Sequence, residues 1–275
     1  MKIGNIQCAA LACADDISIN STNLEKAQIL LNIAYDYSCK EHYKLQPQQS
    51  VVIYMSSQKK RGKSTPIQLQ LNGTNLPNVE KTAHLGIKRS KTDKDTIENT
   101  VNENITKARI TAYSLMSAGF HGNNGLDPSI CIHIMKTYVI PTLLYGVEVI
   151  TADKKNLEKL EKFHKRMVKQ ILSLPQNAPD IVPYIISGII PIEGQIHIKV
   201  LTFLYSICLL PNTSTENKIA KRQISVKSGQ SNSWFIYAKK IIWKYNLPEI
   251  YLLLEAPYAK AEWKKLTYEK VYQYW

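Results

Sequence analysis

The stretch Ala10-Leu11-Ala12-Cys13-Ala14-Asp15-Asp16-Ile17-Ser18-Ile19 decides the local fold of the N-terminal region. Two acidic residues lie between two short apolar segments, and aspartate favours turns whereas it is poor inside strands. The pattern therefore predicts a β-hairpin that carries Asp15 and Asp16 at its tip.

Neighbouring carboxylates on a rigid turn suit metal-assisted phosphoryl transfer, in which two divalent ions ~3.5–4 Å apart stabilise the attacking and leaving oxygens. Adjacent residues of a strand point to opposite faces, so two adjacent acids rarely bind a metal equally. We expect Asp15 to be the principal catalytic metal ligand and Asp16 its weaker neighbour. The alternative is a solvated Asp-Asp turn that binds nothing.

One helix and several short strands are predicted for the rest of the first ninety residues. Ser21 or Thr22 can cap a helix that ends near Ser38, with Glu25 completing a capping box from Thr22. The run 50–55 is rich in β-forming residues and predicts a strand, and the basic, polar run 56–65 predicts an exposed loop. Residues 67–71 alternate apolar with polar side chains before Asn72-Gly73, which predicts a hairpin strand with its turn. The short apolar run 79–87 predicts a last strand.

Helical periodicity dominates the chain after residue 93. A helix over 130–140 is expected to stop at Pro141, and Asp153 is expected to cap a helix that runs to about Leu174. The fold class predicted from the whole sequence is α+β. Its parts are hairpins with one helix over 1–92, a helical domain over 93–211, a polar linker over 212–233 and an aromatic, basic helical segment over 234–275.

The charge of the chain favours an anionic partner. Lys plus Arg number 35 and Asp plus Glu number 22, which gives a net charge of +13. Nucleic acid and an acidic membrane surface both fit this surplus. In the predicted helix after Asp153, the lysines and Arg166 lie largely away from the apolar stripe, although a lysine-solvated surface helix has the same pattern. Tryptophans and tyrosines of 234–275 could stack on bases, although core packing is their commoner role.

Several other classes of protein are disfavoured. The five cysteines are scattered, which argues against a disulfide framework and fits a reducing compartment. The longest apolar stretch, 200–210, is shorter than the roughly 20 residues that span a bilayer. The segment 8–14 resembles a signal peptide or lipoprotein acylation site, but polar residues interrupt the apolar region before it. We expect an intracellular protein of the nucleus or cytoplasm, with an exported, lipid-anchored protein as the weaker alternative.

The Ala-Asp-Asp-Ile hairpin resembles the catalytic palm motif of reverse transcriptases from LINE-type (non-LTR) retrotransposons. Cys13 stands where that family usually has Phe or Tyr. Downstream, Gln46-Pro47-Gln48-Gln49-Ser50 is similar to the family's Asn-Pro-x-Lys-Ser, with Gln49 in the place of the lysine thought to assist pyrophosphate departure. An amide cannot donate a proton as an ammonium can.

The resemblance continues in the order of the family. The segment His84-Leu85-Gly86-Ile87 is similar to the primer-grip hairpin, and Pro141 to Glu148 reads Pro-x-Leu-Leu-Tyr-Gly-x-Glu, which is frequent after the palm. The basic helix after Asp153 then looks like part of a thumb that grips a nucleic-acid backbone. The basic residues of this helix that we expect to contact phosphates are Lys162, Lys165, Arg166 and Lys169.

This resemblance implies RNA-directed DNA polymerase activity with Mg²⁺ bound at Asp15 and Asp16. Its partners would be an RNA template, a DNA primer or an RNA–DNA duplex, and nucleotide triphosphates. The family's palm has a further aspartate on an earlier strand, and its fingers also precede the Asp-Asp hairpin, whereas only fourteen residues precede Asp15 here. We therefore expect a fragment or a degenerate gene product that covers the last part of the palm, the thumb and a helical extension, and that is inactive without an N-terminal reverse-transcriptase portion. The alternative is a basic, helical nucleic-acid-binding module without catalysis.

Overall fold

The computed structural model describes residues 2–55 and 68–275. The chain divides into two compact units, residues 1–96 and 97–275. Within the described residues, the first unit contains four antiparallel two-stranded hairpins and helix α1, whereas the second is built from helices. The predicted α+β class is confirmed.

The hairpins of the first unit are short, and their turns explain their register. The strands are β1 (Lys2–Ile3), β2 (Ile6–Gln7), β3 (Ala10–Cys13), β4 (Asp16–Ile19), β5 (Gln70–Leu71), β6 (Thr74–Asn75), β7 (Lys81–His84) and β8 (Ile87–Ser90). Asn72 and Gly73 have φ values of 49° and 71°, and Leu85 and Gly86 have values of 50° and 74°. Two positive φ angles in a row characterise the turn that matches the twist of the flanking strands. The predicted Asn72-Gly73 turn is therefore observed.

Helix α1 (Leu24–Lys40) packs on the third hairpin. Its Ala27, Leu31 and Tyr35 lie against a small core of Leu69, Leu71 and Leu76. The helix is capped by Asn23, not by the predicted Ser21 or Thr22. The backbone at Asn23 is extended, which lets its side-chain oxygen accept hydrogen bonds from the N–H groups of Glu25 and Lys26.

The strand predicted over 50–55 does not form. A bridge between Val52 and Asn78 is the pairing described there. The Val52 N–H donates to Pro77 O at 2.9 Å, and the Val79 N–H donates to Val52 O at 2.9 Å. Pro77 has no N–H to donate to a carbonyl before Val52, so the pairing cannot extend in that direction. The basic loop predicted over 56–65 and the start of the strand at Ile67 lie outside the described residues.

The second unit surrounds a buried central helix. Its helices are α2 (Asp93–Ser117, which begins in the first unit), α3 (Pro128–Ile134), α4 (Ile140–Leu143), α5 (Lys154–Ile171), α6 (Val182–Ser187), α7 (Ile192–Cys208), α8 (Thr215–Val226), α9 (Trp234–Lys244), α10 (Ile250–Glu255) and α11 (Lys260–Tyr274). Helix α7 contacts α5 and each of α8 to α11. Its Val200, Leu201 and Leu204 are completely buried, so α7 forms the centre of the core.

Pro141 does not end its helix, contrary to the prediction. A π-helical turn, Met135–Val139, joins α3 to α4, and Pro141 lies in the first turn of α4. The Ile140 N–H donates to Met135 O, five residues earlier. The wider π turn shifts the hydrogen-bond register just before the proline, which accommodates its missing N–H and its ring.

The polar segment predicted as a linker, 212–233, contains helix α8. Ser214 caps this helix by accepting the Asn217 N–H at 3.2 Å. Ala220 and Ile224 are one turn apart and buried, and α8 packs on α7, α9 and α10. Together with the buried Asn217, these residues give the mostly polar segment a face that packs on the core.

Candidate functional site

Asp15 and Asp16 lie at the tip of the β3–β4 hairpin. Cys13 pairs with Asp16 in the ladder, so Ala14 and Asp15 form a two-residue turn. Ala14 has a φ of 53°. Both aspartates are exposed, and β4 contacts α1. The predicted β-hairpin with both aspartates at its tip is therefore confirmed.

The two carboxylates form only part of a donor set for a two-metal centre. Carboxylate oxygens suit Mg²⁺, a hard cation that prefers oxygen ligands. Among residues 2–55 and 68–275, however, no three His, Cys, Asp or Glu side chains come together closely enough to hold a metal ion. These residues do not by themselves fit a pair of Mg²⁺ ions, and their role as ligands stays a prediction.

The hairpin formed by β7 and β8 carries the predicted primer-grip-like residues. His84 ends β7 and is partly buried, and Leu85 and Gly86 form the turn. Leu85 is exposed at the tip although its side chain is apolar. This hairpin therefore presents an apolar side chain on a tight turn. Its contact with a primer stays a prediction.

The basic face of α5 is divided into two parts. Asp153 caps this helix as predicted, and Lys162 and Arg166 are exposed. For these two residues no carboxylate partner is found among the described residues. Their positive charges are therefore open to solvent, as a contact with phosphate requires.

Lys165 and Lys169, in contrast, are already paired within the unit. The Lys169 ammonium is 3.2 Å from Asp180 Oδ1 and donates to the Ala178 carbonyl at 2.6 Å. Lys165 Nζ is 3.3 Å from Asp180 Oδ2. Hydrogen bonds from Lys169 and then Lys165 hold the pKa of Asp180 below its usual value. The expectation of an outward-facing Lys169 was wrong, because its ammonium bonds to acceptors in the loop 176–180, and only 8% of the side chain stays exposed.

The lysines nearer the start of α5 are neutralised in the same way. The ammonium of Lys159 is 2.9 Å from Glu98 Oε1, and that of Lys155 is 3.4 Å from the same oxygen. Hydrogen bonds from Lys159 and Lys155 hold the pKa of Glu98 below its usual value. Glu98 lies on a separate helix, and no pattern in the sequence signals this pairing.

A partly buried polar cluster on α5, α6 and α7 was not predicted as a site. Tyr184 donates a hydrogen bond to Glu161, and the other oxygen of Glu161 accepts the Ile192 N–H at 2.8 Å. Burial raises the pKa of Glu161. His164 is fully buried, its Nδ1 has no hydrogen-bond partner among the described residues, and burial lowers its pKa to about 4. The feature of the sequence that could have indicated this cluster is His164, a histidine within the apolar stripe of α5.

No described helix combines the length and the apolar character needed to cross a membrane. No protein-family model matches the chain, and comparison with curated proteins and with solved structures gives no significant match.

Proposed function

We propose that this chain provides the Asp-Asp hairpin and the adjoining helical region of a LINE-type reverse transcriptase. The observation that carries the proposal is the position of Asp15 and Asp16 at the tip of a tight hairpin beside α1. The order of the following motifs supports it, since a Leu-Gly turn and a helical region with exposed basic residues come after the hairpin.

In this proposal each part of the chain has a distinct task. The hairpin holds the Asp15 and Asp16 carboxylates on a short backbone turn, where they face solvent and can accept a cation. When bound, Mg²⁺ would supply the charge that stabilises the attacking and leaving oxygens of nucleotidyl transfer. Lys162 and Arg166 bind the phosphate backbone of the duplex. Further oxygen ligands are needed to complete the metal site, because two carboxylates do not form it alone.

The test is to sequence the genomic DNA immediately upstream of the Met1 codon and to express the chain with whatever in-frame residues it encodes. An in-frame palm aspartate and fingers there would show that the true start lies upstream and would complete the polymerase. The extended protein should then extend a primed RNA template with Mg²⁺ and nucleotides. Asp15→Asn should lower incorporation by about a hundredfold or more, because metal stabilisation of the transition state is worth several kcal/mol.

Asp36→Asn is the matched control, since Asp36 is an exposed aspartate on α1. It should leave incorporation unchanged. Upstream DNA without an in-frame palm aspartate would make the chain a relic without catalysis, and incorporation that survives Asp15→Asn would contradict the proposal.

A second function, passive nucleic-acid binding, is favoured by the exposed Lys162 and Arg166. Contacts to phosphates through such side chains need neither a metal nor the hairpin. Binding to a duplex that is equal with Mg²⁺ and with a chelator, in a protein that has no polymerase activity, would favour this function over catalysis.

A further inference from the structure

A lysine and two aromatic rings meet on the surface of α9 and α10. The ammonium of Lys239 is 4.9 Å from the ring centroid of Trp243 and 5.1 Å from that of Tyr251. Trp243 is 54% exposed and Tyr251 is 42% exposed. Large aromatic side chains more often bury such area, so these rings require an explanation. We call these three residues the Trp243 platform.

The helices that carry the platform are firmly anchored. Ile241 and Ile242 beside Trp243 are buried, as are Ile250 and Leu253 beside Tyr251. The Tyr251 hydroxyl also donates to the Ile224 carbonyl at the end of α8, at 3.2 Å. The two rings are therefore held outward by a fixed scaffold, and binding a ligand there would cost little ordering of the chain.

The charge of the platform is uncompensated. No carboxylate lies within 4 Å of the Lys239 ammonium in the described part of the chain. Lys244 on the same helix is different, because its ammonium is 2.7 Å from Glu193. Lys239 therefore leaves a positive charge directly beside two ring faces, in a chain with a net charge of +13.

We propose that the Trp243 platform binds single-stranded nucleic acid. An unpaired base stacks on the exposed indole of Trp243, and Lys239 pairs with a neighbouring phosphate. Single strands suit this arrangement because their bases offer free π faces and their backbone offers an anion at each nucleotide, whereas the faces of duplex bases are already stacked. The inference is independent of the polymerase proposal, since it involves neither the Asp-Asp hairpin nor α5.

The chemistry of the surface favours nucleic acid over a lipid surface. Amphipathic anchors bury an apolar face of several aliphatic and aromatic residues in the lipid. Next to the platform, Leu252 is an exposed aliphatic residue, but the rings themselves flank a cation. A cation between two rings is suited to an alternating series of flat bases and phosphates.

The test measures binding of the full chain to fluorescein-labelled oligothymidine and oligouridine by fluorescence anisotropy. Trp243→Ala should weaken binding by roughly 5- to 150-fold, the range that corresponds to removal of one base–aromatic stack. Trp243→Phe should retain most of the affinity because it keeps a ring. Lys239→Gln should reduce the slope of log affinity against log salt by about 0.7, the value for one phosphate contact of a single strand.

Tyr138→Ala is the matched control, because Tyr138 is an aromatic residue of similar exposure on the π-helical turn. It should not change binding. Circular dichroism of each variant checks folding. Equal affinity of the parent and Trp243→Ala would overturn the proposal. A second result would also overturn it: oligonucleotide affinity that does not depend on Trp243, together with a change in Trp243 fluorescence when phosphatidylserine vesicles are added. The surface would then be a membrane contact.

Discussion

His164 shows how one buried residue makes stability depend on pH. Its folded-state pKa is about 4, well below the ordinary value of 6.5, because burial disfavours the imidazolium and Lys165 adds to this. Between these pH values the unfolded chain binds a proton that the folded chain does not, so stability is lost as the pH falls from about 6.5 to 4. Burial likewise lowers the pKa of His197 to about 4, so His197 contributes to the same loss of stability at acid pH.

We expect His164→Leu to remove part of this acid sensitivity. The loss of stability between about pH 6.5 and 4 should shrink by about 3 kcal/mol, the value that corresponds to the pKa shift of a group buried this deeply. Glu161 acts in the opposite direction, because its raised pKa favours the folded state as the pH falls. Urea unfolding at several pH values measures the change. His133→Gln replaces an exposed histidine as a control, and an unchanged profile in His164→Leu would contradict the assignment.

The sequence revealed the carboxylates of the candidate site but not the pairing of its lysines. Asp15 and Asp16 are placed by turn chemistry, which acts within a few residues. The partner of Lys169 is Asp180, in a loop after the helix, and that of Lys159 is Glu98 on α2. Such pairings depend on how helices pack together, which periodicity along a single helix does not encode.

At the level of elements, local signals predicted α5 well and failed where packing decides the structure. The Asp153 cap and the apolar stripe of α5 act through neighbouring turns, so sequence was sufficient. The prediction at Pro141 was wrong because a π turn accommodates the proline within a buried helix. Helix α8 was missed because its stability depends on α7, α9 and α10, not on its own polar composition.

The outward face of α5 should bind a duplex through Lys162 and Arg166 alone. Replacing both with Gln should weaken duplex binding and reduce the slope of log affinity against log salt by roughly 0.9 for each phosphate that the variant no longer neutralises. Base sequence should matter little. The free energy of unfolding should change by less than about 0.5 kcal/mol, because both side chains are exposed. Anisotropy with a labelled RNA–DNA duplex across a salt series measures this effect.

Lys169→Met provides the contrast on the same helix. It removes the hydrogen bonds that a nearly buried ammonium makes to Asp180 and two backbone carbonyls. The free energy of unfolding should therefore fall by about 1–3 kcal/mol, while the salt slope of duplex binding stays as in the parent. A lower salt slope in Lys169→Met, or the parent slope in the Lys162 and Arg166 variant, would show that this division of the face is wrong.

For the molecule as a whole, the 275-residue chain alone should not extend a primed template with Mg²⁺ and nucleotides. Two-metal catalysis needs several oxygen ligands around one reaction centre. In the described residues, Asp15 and Asp16 have no third acidic or histidine ligand grouped with them. Duplex binding through α5 should persist in the same preparation, since phosphate contacts do not depend on the hairpin. Primer extension and duplex anisotropy are therefore measured on the same preparation. Duplex binding without primer extension indicates an incomplete metal site, whereas loss of both indicates a misfolded protein. Incorporation by the chain that disappears in Asp15→Asn but persists in Asp36→Asn would show that its metal site is already complete.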